Sequence, residues 1–203
     1  MLFAGSALAA LPLAWQAAAQ AQGRLRPTPS QTEGPFYPVR LPDDADNDLL
    51  ANGKQVYSPR ETALVSGVVM DLAGRPVRGA VVEIWQCDEQ GHYHHPGDGG
   101  RADPAFQGFG RVAVDEDGRY HFRTLRPAPY SGRTPHIHVK VKQGREELLT
   151  TQLYVEDDPG NARDGLWRRL RDPQDRAALT VPFKRQEGEG ASLAAEFPIV
   201  LEV

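Results

Sequence analysis

Hydrophobic and polar residues alternate over short stretches through most of the chain after residue 62. The first such stretch is Leu64–Met70, and a turn-rich segment separates it from the β-branched run Ala80–Trp85. Later stretches of the same kind are Arg111–Val114, Tyr120–Arg123, His136–Val141, Leu148–Val155 and Phe197–Val203. Several short strands with turns between them predict an all-β fold, an antiparallel β-sandwich with long loops.

One segment has helical rather than strand periodicity. In Asn161–Leu170 the apolar residues Leu166, Trp167 and Leu170 are spaced for one face of a short helix. Residues 23–62 are rich in proline and polar residues and predict an extended arm and loop, which leaves 63–203 as the β-sandwich domain. The acidic run Asp43–Asp48 lacks the glycine and distal glutamate of an EF-hand, so we interpret it as a solvated loop.

Residues 1–22 differ from the rest of the chain. Leu2–Trp15 is apolar, and the alanines at 17–21 offer small residues to a signal peptidase. The run is too short and alanine-rich for a stable membrane span, so it predicts a signal segment and export to the periplasm or outside the cell. No Lys or Arg precedes the run. A longer signal, including a twin-arginine signal, and a disordered or loosely helical N-terminus therefore both remain open.

Composition narrows the class of protein. The 203 residues, 40 % of them hydrophobic, are enough for one sizeable core, and the net charge of −4 gives no basic stripe for nucleic acid. Cys87 is the only cysteine, which excludes an internal disulfide, and we expect it to be a small packed residue.

The segment Tyr130–His138 carries the most informative chemistry. In a strand, His136 and His138 lie on one face and Ile137 on the other. With the phenols of Tyr130 and Tyr93, two neutral imidazoles form a ligand set suited to a hard trivalent ion such as Fe(III). Considered alone, the histidines at positions 92, 94 and 95 form a rival metal site, and their roles stay open.

Several motifs in fixed order surround these residues. They are Thr32–Pro38, Val82–Asp88 followed by Gly91–Tyr93, Asp117–Thr124 leading to Pro127–Tyr130, and Thr151–Tyr154. Over roughly residues 31 to 175 the sequence resembles the intradiol ring-cleavage dioxygenases, the family of protocatechuate 3,4-dioxygenase and catechol 1,2-dioxygenase. Each motif is weak alone, and their ordered occurrence is specific.

The resemblance implies a catalytic β-sandwich that holds Fe(III) and takes a small aromatic diol and O2. The implied iron ligands are Tyr93, Tyr130, His136 and His138. Tyr130 would also leave the metal during catalysis, Arg133 would stabilise negative charge near the ring, and Gln152 would hold Arg133. The segment implied to border the substrate is Gly34, Pro35, Phe36 and Tyr37. Cleavage between the two hydroxylated carbons would give a cis,cis-muconate-type diacid.

The chain also departs from the family. Only five residues separate Tyr130 from His136, whereas protocatechuate dioxygenase has a longer loop there. The small residues Ser131 and Gly132 in this loop predict an open pocket for substituted catechols. The long helical region of catechol 1,2-dioxygenases is missing, so their dimerisation does not carry over; a homodimer is compatible with the sequence, but the oligomeric state stays open.

Two other functions remain at this stage. The strands from Gly67 to Val82 also resemble β-sandwich modules of surface proteins, which bind or support without a metal. A hydrolytic zinc enzyme would use a third histidine or a carboxylate as ligand and a separate base. The metal-ligand set distinguishes the dioxygenase interpretation from these modules, which do not need one, and a tyrosine pair fits a zinc hydrolase poorly.

Overall fold

The computed structural model describes residues 25–186 and 192–203, so the predicted signal segment 1–22 lies outside the described residues. Strands β1 (Ala51–Asn52) and β2 (Gln55–Val56) form a small hairpin. The remaining strands are β3 (Thr62–Asp71), β4 (Ala80–Trp85), β5 (Phe109–Ala113), β6 (Arg119–Leu125), β7 (His136–Gln143), β8 (Glu146–Val155), β9 (Thr180–Val181), β10 (Lys184–Arg185), β11 (Leu193–Glu196) and β12 (Ile199–Leu201).

These strands form two five-stranded sheets. In the first sheet β3 is central: it pairs antiparallel with β6 and parallel with β11 and β12, and β10 pairs with β11. The second sheet has the order β5-β4-β7-β8-β9 and is antiparallel except between β8 and β9. The predicted β-sandwich is confirmed, with mixed sheets because the C-terminal strands add in parallel.

The core of the sandwich follows the two-residue period of the strands. Burial alternates along β3, and on β7 the side chains of Ile137, Val139 and Val141 enter the core. Val82 and Ile84 of β4 join them. Each such side chain stabilises the fold by about 1.5–3 kcal/mol through burial, and we expect an alanine at Ile137 to cost roughly 2–5 kcal/mol.

The predicted helix at 161–170 is wrong in position. The structure has 3₁₀ turns at Asn161–Arg163 and Trp167–Arg169 instead, and the α-helix α1 spans Pro173–Leu179. The chain is extended at Asp164, whose carboxylate accepts the N–H groups of residues 166 and 167 and so separates the two turns. The sequence signal for α1 is Asp172, which caps the helix just before a proline at its first position. No helix in the described parts of the chain is long and apolar enough to cross a membrane.

Residues 25–42, which we call the arm, begin beside the first sheet, where Thr28 hydrogen-bonds to Val200 of β12, and then cross the outer face of the second sheet. The Gln31 N–H donates to the Thr150 carbonyl at 2.8 Å, and the Thr151 hydroxyl donates to the Pro29 carbonyl at 2.7 Å. Glu33 pairs with Lys140 of β7. The arm therefore buries side chains of β7 and β8 that point away from the sandwich core.

Candidate metal centre

Two histidines of β7 converge beneath the arm. Ile137 faces the core, so His136 and His138 project from the opposite face, where both are buried. Their Nε2 atoms lie 3.2 Å apart. Two nitrogens bound to one ion at about 2.1 Å in neighbouring positions are separated by roughly 3.0–3.4 Å, so the pair is spaced for a shared ion.

The protonation of His136 follows from its neighbour. Its Nδ1 lies 2.6 Å from the Thr134 carbonyl, which only accepts hydrogen bonds. Nδ1 therefore carries the proton, and Nε2 presents a lone pair toward His138. This is the backbone partner by which proteins commonly orient a ligating histidine.

Two phenols complete a cluster of four rings. The ring of Tyr93 lies 4.9 Å from that of Tyr130 and 6.1 Å from that of His138, and Tyr130 lies 5.4 Å from His136. Tyr93 is buried in the loop after β4, where its backbone N–H donates to Asp98 at 2.7 Å. Tyr130 is half-buried. The structure thus brings all four predicted ligands together, and we call them the ring cluster.

Burial sets the charge state of the ring cluster. It lowers the pKa of His136 to about 4, with the Arg133 charge as a further cause, and it holds the pKa of His138 well below the ordinary value. Burial likewise raises the pKa of Tyr93 well above that of a free phenol. At neutral pH both imidazoles are therefore neutral, as metal ligands must be.

The ring cluster also contains unpaired polar atoms. The Tyr93 hydroxyl and His138 Nδ1 have no hydrogen-bond partner among the described residues. Leaving such groups unpaired costs about 1–3 kcal/mol each. Within 25–186 and 192–203 no group of three His, Cys, Asp or Glu side chains is placed to hold a metal, so a metal in this cluster would depend on the phenols. Two imidazoles and two phenols fit Fe(III), which phenolates bind as hard anionic donors.

Arg133 lies beside the ring cluster in a fixed orientation. Its Nε donates to Asp164 at 2.7 Å, and its Nη2 donates to the Gln152 side-chain oxygen at 2.7 Å. The Tyr154 hydroxyl lies 3.0 Å from the same oxygen and 2.6 Å from the Gln31 side chain. The predicted contact between Gln152 and Arg133 is therefore present, and Asp164 and Tyr154 extend it.

A tight turn joins Tyr130 to Arg133. The Arg133 N–H donates to the Tyr130 carbonyl at 2.7 Å, and the two residues between them have φ of 44° and 78°. Positive φ at both central residues is typical of a type I′ turn. The short loop between Tyr130 and His136 therefore begins with a turn that holds the backbones of Tyr130 and Arg133 close together.

Two of the four arm residues implied to border the substrate contact the ring cluster. Gly34 lies against the His138 ring: a Cβ at this position would be 3.3 Å from His138 Cε1. The Phe36 ring stacks on Tyr93 with centroids 4.7 Å apart. Pro35 is exposed, and the Tyr37 ring packs on Trp85 while its hydroxyl donates to Glu83 at 2.9 Å, so neither has a recorded contact with a ring of the cluster.

Other residues of interest lie outside the ring cluster. His94 Nε2 contacts the Phe106 carbonyl at 2.6 Å, and His95 caps a 3₁₀ turn at 96–98, so the run at 92–95 does not converge as a metal site. Cys87 is buried, and burial raises the pKa of its thiol to about 12, consistent with a packed residue. Sequence reasoning missed Trp85, whose ring stacks on His138 at 4.8 Å because the two residues are opposite each other in β4 and β7.

Comparisons with known proteins identify the family of this chain. A family described as Dioxygenase matches residues 32–202. The chain is 35 % identical to the protocatechuate 3,4-dioxygenase beta chain of Burkholderia cepacia, covering 82 % of this chain and 76 % of that one. It is 32 % identical to catechol 1,2-dioxygenase 1 of Acinetobacter lwoffii, covering 78 % and 56 %. The chain spans about half the length of the catechol 1,2-dioxygenases that it matches.

Solved structures give the same result. The dioxygenase domain of a dioxygenase carbohydrate-binding protein fusion from Streptomyces sp. SirexAA-E is 34 % identical, with a TM-score of 0.67 over 88 % of this chain and 99 % of that one. An intradiol ring-cleavage dioxygenase from Tetranychus urticae has the same fold, with a TM-score of 0.71 at 22 % identity over 88 % and 95 % of the two chains. The chain belongs to the intradiol ring-cleavage dioxygenase family.

Proposed function

We propose that the protein is a non-haem Fe(III) dioxygenase that cleaves a catechol-type ring between its two hydroxylated carbons and yields a cis,cis-muconate-type diacid. The convergence of two neutral imidazoles and two phenols in one buried cluster carries this proposal. Tyr93, Tyr130, His136 and His138 would hold the ion. When bound, Fe(III) would supply a Lewis acid that makes the diol ring reactive toward O2.

Tyr130 is the phenol best suited to handle a proton. It is less buried than Tyr93, and its carbonyl accepts from the Arg133 N–H. Burial raises the pKa of Tyr130, and the positive charge of Arg133 acts in the opposite direction. A phenolate whose pKa is high when it is not bound to a cation readily accepts a proton, so the Tyr130 oxygen would take one proton from the diol.

Arg133 would stabilise negative charge on the substrate. Its contacts with Asp164, Gln152 and Tyr154 use Nε and Nη2, so Nη1 stays available to a substrate oxygen. A donor held in advance in a site that excludes water contributes more than one in bulk solvent. The arm excludes water from one side, because Gly34 and Phe36 cover His138 and Tyr93.

The same contacts bear on substrate range. Since two of the three guanidinium nitrogens already have partners, Arg133 is poorly placed to clamp a ring carboxylate as well. Ser131 and Gly132 are exposed and leave space above the turn. We therefore expect substituted catechols to be accepted, and a preference for protocatechuate of about a thousandfold in kcat/KM, or roughly 4 kcal/mol, would contradict this.

The test of function is metal analysis together with a visible spectrum. Purified protein should contain about one ferric ion per chain and have a phenolate-to-iron charge-transfer band. Tyr93→Phe and His138→Ala should lose iron, whereas Tyr57→Phe and His121→Ala, which alter the same residue types outside the ring cluster, should keep it. Protein that contains zinc alone and no band, or a yellow semialdehyde product from catechol, would refute the proposal.

We also propose that the protein is exported, on the basis of the apolar run Leu2–Trp15 and the alanines that follow it. Mass spectrometry of the protein from its native host tests this. Cleavage near Ala19 or Ala21 is expected, and an intact Met1 on cytoplasmic protein would contradict it.

A further inference from the structure

The two histidines of the ring cluster are oriented by different means. His136 Nδ1 contacts the Thr134 carbonyl at 2.6 Å, and this hydrogen bond fixes the direction of its ring. His138 is equally buried, yet its Nδ1 has no hydrogen-bond partner in the described parts of the chain. A ligating histidine normally donates its second N–H to a carbonyl, carboxylate or water, and this partner orients the ring. The described residues offer His138 no such partner, so among them a different contact has to set the plane of its ring.

Trp85 provides that contact. The indole of Trp85 and the imidazole of His138 are nearly parallel, with 8° between their planes and 4.8 Å between their centroids. Both side chains are only 1 % exposed. The two residues are directly opposite each other in the register of β4 and β7, so the backbone keeps them as cross-strand neighbours. Rotation of the imidazole out of this plane would lose its overlap with the indole and drive its edge against the indole face.

Trp85 is in turn held by the arm and by its own strand. The Tyr37 ring contacts the indole at 5.0 Å between centroids, with 85° between the two planes. The Tyr37 hydroxyl donates to the buried carboxylate of Glu83, which lies two residues before Trp85 and therefore on the same face of β4. Lys140 Nζ lies 4.1 Å from the centroid of the Tyr37 ring. The indole Nε1 has no partner among the described residues, so the contacts of Trp85 depend on its ring face and edge rather than on its N–H.

We propose that Trp85 is a positioning residue of the metal centre, which holds the plane of the His138 imidazole so that Nε2 is directed toward the same point as Nε2 of His136. This inference rests on the proposed function, because it takes His138 as a ligand. Trp85 itself cannot bind the ion, since an indole N–H only donates. Its effect passes through His138, so a change at Trp85 should alter the order of that ring and the affinity for metal together. Another flat apolar ring at this position should preserve both.

Three variants test this role. Trp85→Leu removes the flat face, whereas Trp85→Phe keeps one. Phe122→Leu is the matched control for lost packing, because Phe122 is a fully buried aromatic residue of β6 in the other sheet.

NMR of the complete, iron-free protein measures the ring directly. The ring protons of His138 should be shifted upfield, because the imidazole stacks on the indole. This shift should be lost in Trp85→Leu and kept in Trp85→Phe and Phe122→Leu. In iron-loaded protein, competition with EDTA should show that Trp85→Leu weakens Fe(III) binding by about tenfold to hundredfold, the usual effect of removing a residue that orients a ligand. Trp85→Phe should restore most of this loss.

Three results would overturn the proposal. One is an ordinary chemical shift for the His138 ring in the unaltered protein, which decides the question even if Trp85→Leu does not fold. Another is a loss of affinity in Trp85→Leu no larger than that in Phe122→Leu, since packing alone would then explain it. The third is a Trp85→Phe variant that binds Fe(III) as weakly as Trp85→Leu. Unaltered protein that binds no Fe(III) would instead refute the proposed dioxygenase function, and the NMR shifts would still show whether Trp85 orients His138.

Discussion

Replacing Asp164 by asparagine removes the charge that anchors Arg133. The Asp164 side chain is fully buried, and its Oδ2 accepts from Arg133 Nε at 2.7 Å and from the Thr134 N–H at 3.0 Å. Its Oδ1 accepts the N–H groups of Leu166 and Trp167 at 2.8 and 2.9 Å. Burial by itself would raise the pKa of this carboxyl, but the hydrogen bonds from Trp167, Arg133 and Thr134 outweigh it, so the pKa lies below the ordinary value.

The expected loss follows from counting these donors. Asparagine has one oxygen and one NH2 group, so in either orientation two of the four N–H donors face another donor. Each buried group left unpaired costs about 1–3 kcal/mol, and removing one partner of a buried ion pair costs roughly 3–5 kcal/mol. Because Arg133 retains some exposure to solvent, we expect Asp164→Asn to lower the free energy of unfolding by about 3 kcal/mol. The catalytic constant should fall as well, since Arg133 loses its orientation.

Urea unfolding of iron-free protein at pH 7 measures this loss without a contribution from metal binding. Asp172→Asn is the matched control, because Asp172 also accepts from an arginine and a backbone N–H, but at the surface. Asparagine caps a helix as well as aspartate does, so the control should unfold like the original protein. A loss below about 1 kcal/mol for Asp164→Asn would refute the reasoning.

Three further predictions concern the ring cluster and its cover. Gly34→Ala and Gly53→Ala both place a side chain at positive φ, which costs roughly 1–2 kcal/mol, but only the alanine at position 34 would meet His138, at 3.3 Å. Iron retention should therefore fall for Gly34→Ala alone, and equal iron retention in the two variants would contradict the contact. The pKa of His136 is about 4 in the folded protein and 6.5 in the unfolded chain. Iron-free protein should therefore keep the full contribution of this group to stability above pH 6.5 and lose about 3 kcal/mol as the pH falls toward 4. A free energy of unfolding that stays constant from pH 7 to 4.5 would rule this out. Tyr130→Phe should keep iron while shifting the charge-transfer band and slowing turnover, and a variant with an unchanged band and rate would show that Tyr130 is not a ligand.

The sequence predicts those parts of the site that depend on local geometry. The two-residue period of a strand places His136 and His138 on one face whatever the strand pairs with, and five intervening residues keep Tyr130 nearby. The chain order of the motifs identifies Tyr93 and Gln152, although neither is local to the histidines. The β-sandwich follows for the same reason, since alternation along each strand defines which face is buried.

The missed features depend on contacts between distant segments. Trp85 contacts His138 only because of the register between β4 and β7, which no local pattern encodes. The role of Asp164 is not predicted, because the apolar spacing after it indicates a helix. In the structure its side chain accepts from the backbone N–H groups of the two following turn residues instead. The parallel strands at the C-terminal end of the chain likewise depend on which edge of β3 is free.

The arm has a consequence for the order in which the protein is assembled. Gln31 contacts Tyr154, 123 residues later in the chain, so the arm is synthesised long before its partner strands exist. Contacts that close such long loops form late in folding, because their entropic cost must be met before they stabilise the chain. The sheet that holds the histidines can therefore form while its outer face is still open to solvent. This order would give a metal an interval in which to enter, and the docking of Gly34 and Phe36 afterwards would slow its escape, so the iron retention that we propose would depend on the arm as much as on the ligands.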